Sequence, residues 1–110
     1  MEANVMLYEL RIYTILPGRM DNIRSRFADH TLGIFQRLGM KVVDFWEDAE
    51  GKSVLYYVMA YDNMEQRNQQ WDTFRADAQW QEAKQASELG GPIVEKVEEV
   101  FMTRSAFFHQ

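Results

Sequence analysis

At 110 residues the chain is expected to form one domain spanning 1–110, and its net charge of -5 argues against a nucleic-acid surface. Hydrophobic residues make up 46% and charged residues 26%, and the fifteen aromatics (seven Phe, five Tyr, three Trp) call for an aromatic core or cleft. The absence of cysteine excludes disulfides, thiolate metal sites and a cysteine nucleophile; with no apolar run of membrane-spanning length and no secretory pattern in Met1–Val5, a cytoplasmic protein is expected.

Met6 to Ile15 reads as a strand, ended by Pro17-Gly18. Alternation puts Tyr8, Leu10 and Ile12 on one face and Glu9, Arg11 and Tyr13 on the other. An apolar strand with a carboxylate, a guanidinium and a phenol in one row places them in a pocket or an interface. That row is expected to face the helices. A helix follows, with Met20, Ile23, Phe27, His30, Ile34 and Leu38 as one stripe, and Gly39 supplies a C-terminal cap. Met40 to Glu47 is a second strand. Ala49 to Lys52 is a tight turn, and Ser53 to Tyr61 is a strongly apolar third strand, which makes a hairpin.

Asn63 with Gln66 fits a capping box, as does Asp62 with Glu65, and the helix they open carries Met64, Trp71, Phe74 and Ala78. Asp77 is placed to cap a second short helical segment with Trp80, Ala83 and Leu89, which Gly90-Gly91-Pro92 stops. Ile93 to Arg104 is the last strand. Glu98-Glu99 interrupts its apolar pattern, as a bulge or an exposed edge would, and Glu95, Glu98 and Glu99 read as an acidic edge.

The order β-α-β-β-α-β predicts an α+β fold of the ferredoxin-like kind, a four-stranded antiparallel sheet with helices on one face. Tyr8, Leu10, Ile12, Val43, Phe45, Val54, Tyr56 and Val58 form one apolar set. Leu55, Tyr57, Met59 and Tyr61 form a second, on the opposite face. A monomer would leave one of them in water, so a homodimer through sheet-to-sheet packing is predicted.

Several of these residues resemble a known family. Tyr8-Glu9-Leu10-Arg11-Ile12-Tyr13 followed by Pro17-Gly18, then His30, Gly39, Phe45-Trp46, Gly51, Tyr61, Arg67 and Trp80, is similar to the NIPSNAP proteins of the dimeric α/β-barrel superfamily. The markers span most of the chain in the expected order. The resemblance implies a dimer whose two four-stranded sheets face each other, with the helices outside. It also implies relatives among cofactor-independent monooxygenases, lactone isomerases and haem proteins, which bind ligands between sheet and helices. Eukaryotic members are linked to mitochondria and vesicle-associated roles. A shared fold transfers no reaction.

His30 interrupts an apolar stripe, and the resemblance raises it as an acid-base group. The plainer reading is a buried histidine hydrogen-bonded to Glu9 or Tyr13. Arg11 would hold an anionic or carbonyl group while Glu9 tunes His30; alternatively the two belong to a structural salt-bridge cluster with Arg67 or a partner subunit. Tyr13, Tyr57 and Tyr61 either line a cleft or are core residues with satisfied hydroxyls. Trp46, expected on the helix-facing side, would wall an aromatic pocket with Trp71 and Trp80. Arg67 is either a ligand contact or a salt-bridged residue, and His109, next to the end, is expected to be disordered.

One internal histidine cannot build a zinc or non-haem iron site, and there is no phosphate loop, dinucleotide glycine pattern or nucleophile elbow. Haem ligation through His30 lacks a basic patch for the propionates. No metal and no cofactor are expected. The resulting expectation is a homodimer that binds a small apolar or aromatic molecule, in an enzymatic version a cofactor-free monooxygenase or isomerase. The alternative is a non-catalytic interaction or structural module.

Overall fold

The computed structural model describes residues 5–108, so His109 lies outside the described residues. The order is β1 (Leu7–Ile15), α1 (Met20–Arg26), a π-helical turn (Phe27–Thr31), α2 (Leu32–Arg37), β2 (Lys41–Glu47), β3 (Val54–Tyr61), α3 (Met64–Ala76), α4 (Ala78–Ser87) and β4 (Val94–Met102). The described strands form one sheet in the order β2-β3-β1-β4, every neighbouring pair antiparallel. This is the ferredoxin-like arrangement that the element order predicts.

Local chemistry sets most boundaries. Asn63 caps α3 by accepting from the Gln66 backbone N–H at 2.8 Å, while the Gln66 side chain accepts from the Asp62 N–H at 2.7 Å. The box therefore closes on the residue before the cap. Asp77 caps α4 by accepting from the Trp80 N–H at 3.0 Å. Gly39 ends α2 with φ +74 and Gly51 closes the hairpin turn with φ +83, both in the left-handed region where a Cβ is strained.

The core lies between the sheet and the helices. Leu55, Tyr57, Met59 and Tyr61 of β3 pack with Ile15, Ile23, Ile34, Phe35, Trp71, Phe74 and Ile93. Ile23, Ile34 and Ile93 are fully buried, each worth about 2 kcal/mol of burial. An aromatic chain runs through this layer: Phe45 stacks on Tyr57 at 4.7 Å, Phe27 sits edge-on to both, and Phe35 meets Trp71 at 5.7 Å.

Two expectations are corrected. In β2 the register jumps from Val42 opposite Met59 to Asp44 opposite Val58, which leaves Val43 as a bulge. One extra residue inverts the facing of everything after it. Phe45 therefore turns to the helix side, opposite Tyr57, and Trp46 turns to the open side, opposite Tyr56 and 48% exposed. In the first helical region the Leu32 N–H donates to the Phe27 carbonyl, five residues back, and the Thr31 hydroxyl donates to the Arg26 carbonyl at 3.2 Å. The wide turn shifts the helical phase, so Thr31 follows Phe27 on the buried face and His30 is exposed. For Glu98-Glu99 the exposed edge is the reading that holds: β4 is an edge strand on which Glu98 and Glu99 are exposed, while the irregularity of its pairing falls opposite Thr14 and Ile15, which face Lys96 and Val94.

Candidate functional site

Charged residues on the inner face of β1 make the densest polar cluster. Glu9 is fully inaccessible, and Arg11 and Tyr13 are buried, so the row does face the helices. Cross-strand pairing fixes the neighbours of Arg11: Tyr57 stands opposite on β3 and Glu99 opposite on β4. From above, α3 contributes Arg67 and Trp71, four residues apart and therefore on the same helical face.

These groups saturate one another. Glu9 Oε1 accepts from the Tyr61 hydroxyl at 2.7 Å and from Arg67 Nε at 3.1 Å. Glu9 Oε2 accepts from Arg11 Nη1 and from Arg67 Nη2, both at 2.8 Å. Arg11 Nε donates to the Tyr57 hydroxyl at 2.8 Å and its Nη2 to the Tyr13 hydroxyl at 3.3 Å, and the two phenols share a 2.8 Å hydrogen bond. The Trp71 indole N–H donates to the Tyr61 hydroxyl at 2.7 Å, and the Arg11 guanidinium lies 4.1 Å from the centre of the Trp71 ring. Glu99 closes the set: its Oε2 accepts from Arg11 Nη1 at 2.8 Å and from Arg67 Nη2.

Charge balance governs the protonation states. Burial pushes the Glu9 carboxyl up, but hydrogen bonds from Arg67 and Tyr61 and the Arg11 charge outweigh it and hold it at about 2. Burial likewise pushes the Tyr57 and Tyr61 hydroxyls above their ordinary value; Tyr13 adds to this for Tyr57, as the Glu9 charge does for Tyr61. Burial works against the charge on Arg11, but the surrounding phenols and Glu9 keep it protonated. Glu9 is therefore a carboxylate beside the charged Arg11, and the Tyr57 and Tyr61 phenols stay neutral.

Of the residues singled out from the sequence, Glu9, Arg11, Tyr13, Tyr57, Tyr61 and Arg67 come together here. His30 does not. It lines a surface groove between α1 and α4 with Asn22, Arg26 and Ser87, and the described partners of Glu9 and Tyr13 do not include it. The three tryptophans do not wall one pocket either. Trp46 is on the open face, Trp71 is in the cluster, and Trp80 packs on Phe74 at 4.6 Å and on the Arg26 guanidinium at 5.2 Å. Sequence reasoning missed Glu99, assigned to an acidic edge; the strand order puts β4 beside β1 and Glu99 opposite Arg11. Alternation from Glu99 to Val97 and Phe101 was the available signal.

Among the described residues no group of three or more His, Cys, Asp or Glu is placed to hold a metal ion, and no helix is long and apolar enough to cross a membrane. No curated protein matches the sequence. The fold does have close solved likenesses. An uncharacterised NIPSNAP domain protein from Burkholderia xenovorans is 28% identical with a TM-score of 0.80, over 94% of this chain and 99% of that one. A NIPSNAP family protein from Agrobacterium tumefaciens is 19% identical with a TM-score of 0.83, over 98% and 93% of the two chains. A putative antibiotic biosynthesis monooxygenase from Chloroflexus aurantiacus shares the fold at 14% identity and a TM-score of 0.63, over 96% and 97%. The NIPSNAP family model matches residues 8–108, nearly the whole chain, and this protein therefore belongs to the NIPSNAP family.

Proposed function

We propose that the chain works as a homodimer, packed sheet to sheet, that binds a small apolar or aromatic molecule between the sheet and the helices. The observation that carries the binding is an apolar groove beside the π-helical turn. Phe27, Ala28 and Leu32 form its helical wall, and Phe45 and Leu55 its sheet wall. Arg24 and Glu47 make a two-pronged ion pair at its rim, at 2.9 and 2.7 Å. A volume of about 240 Å³ suits a single ring or a short chain rather than a large ligand.

The dimer is supported by the other face of the sheet. Tyr8, Leu10, Ile12, Tyr56 and Val58 are only half-buried there, and Val43, Trp46 and Val100 are 44–52% exposed. A contiguous apolar face of this kind is what a second copy covers.

Binding fits these observations better than turnover. Glu9, Arg11 and Tyr61 are saturated by one another, and His30 lies outside the apolar groove. In a catalytic version, a cofactor-free monooxygenase or isomerase, His30 is the acid-base group and needs a substrate that reaches α1 and α4. The saturated cluster is also what a non-catalytic interaction module would carry.

Native mass spectrometry of the gently purified protein tests both halves. A dimer with an added mass that is lost on denaturation, and lost on Leu32→Trp filling the groove, is the expected result. A monomer at micromolar concentration overturns the assembly, and a bare dimer overturns the binding in favour of the interaction module.

A further inference from the structure

We infer that Arg11 and Arg67 form a carboxylate-binding clamp at the β4 edge, one that Glu99 occupies in the free protein and that accepts a small carboxylic acid with an apolar body. The inference does not depend on the apolar groove, which is lined by different residues.

Accessibility singles out Glu99. The side chains of Glu9, Arg11 and Arg67 are 0%, 9% and 11% exposed, whereas that of Glu99 is 40% exposed. Among the charged members of the cluster it is the one most exposed to solvent. The hydrogen bonding differs as well. Glu9 uses both oxygens, each taken twice. Glu99 bridges both arginines through Oε2 alone. Two guanidiniums can offer a carboxylate a paired geometry that uses both of its oxygens.

Charge makes an anion obligatory at this place. Without Glu99, Arg11 and Arg67 face a single carboxylate, and an uncompensated buried guanidinium is costly. Only another anion restores neutrality. The surroundings specify its body. Val97, Glu99 and Phe101 stand opposite Tyr13, Arg11 and Glu9, so all three lie on the helix side of β4. Yet Val97 and Phe101 remain 42% and 41% exposed. The helices cover this row only in part, with Arg67 of α3 lying 5.1 Å from the centre of the Phe101 ring. An acid with a ring or short chain could lay that body on Phe101 and Val97 with its carboxylate on the clamp. The sheet-to-sheet dimer proposed above would use the opposite face of the sheet from this row.

Sodium benzoate is the probe, with benzamide as its uncharged match. In the wild-type protein, saturable shifts of the Arg11 and Arg67 Nε–H resonances are expected with benzoate and none with benzamide. Glu99→Ala removes the internal competitor and should tighten benzoate at least about tenfold, the scale of one charge-assisted hydrogen bond. Glu99→Gln, which keeps the side-chain length, should give a smaller gain. Arg67→Gln in either background should abolish the effect. Equal binding of benzamide, or folded Glu99 variants that bind benzoate no better than wild type, overturns the clamp. If neither variant folds, the wild-type resonances decide: shifts confined to surface lysines would overturn it too.

Discussion

Glu9 is the residue on which the interior depends most. It is a fully inaccessible carboxylate between two guanidiniums, and removing one partner of such a pair typically costs about 3–5 kcal/mol. Glu9→Gln should lose that much stability in urea unfolding at neutral pH. The pH dependence follows from its depressed titration. The folded carboxyl is held at about 2 against an ordinary 4.5, so its contribution is complete above about pH 4.5 and drains away as pH falls towards 2. Wild type should therefore lose stability across that interval, while Glu9→Gln should show a flatter profile there. His30 is the contrasting residue. It is exposed, so His30→Ala should change unfolding free energy by less than about 0.5 kcal/mol. A cooperative melting curve displaced well beyond that would restore a structural role.

At the scale of elements, two single-residue insertions decide which side chains meet. The Val43 bulge sends Phe45 onto Tyr57 and Trp46 outwards. Deleting Val43 should remove the unpaired residue while Asp44 stays opposite Val58, so that Phe45 keeps its stack on Tyr57 and Trp46 stays outward. Tryptophan emission is expected to be unchanged, and the loss of stability to stay below the about 3 kcal/mol of truncating a buried phenylalanine. A blue-shifted emission with a larger loss would show that the register beyond residue 43 depends on the bulge itself. The π-helical turn does the corresponding thing in the helix. Its five-residue hydrogen bond from Leu32 to Phe27 gives the inward place to Thr31, and it also shapes the helical wall of the apolar groove, since Phe27, Ala28 and Leu32 flank or belong to it. Such turns are frequent at functional sites.

For the whole molecule, the unresolved physical problem is a sheet with two apolar faces and helices for only one. The inner face is closed by the core. The outer face carries Leu10 and Ile12 at its centre, between Tyr56 and Val58 on β3 and Val100 on β4. Ile12→Lys puts a charge into the middle of that face and should turn a dimer into a folded monomer in sedimentation velocity, with the circular dichroism spectrum retained. A variant that stays dimeric would place the assembly on another surface.

Element order, the capping residues Asn63 and Asp77, the turn glycines and the inward row of Glu9, Arg11 and Tyr13 were all legible in the chain. Each is set by interactions within a few residues or by the two-residue period of a strand. Fold followed from these, because the β-α-β-β-α-β order leaves few ways to cover one sheet. Three things were not legible. The facing of Phe45 and Trp46 depends on the Val43 bulge in the pairing with β3, and the exposure of His30 on the π-helical turn of Phe27–Thr31. The pairing of Glu99 with Arg11 joins residues 88 apart in sequence. Periodicity carries no record of an inserted residue or of which distant carboxylate a buried guanidinium will meet; strand order and packing settle both.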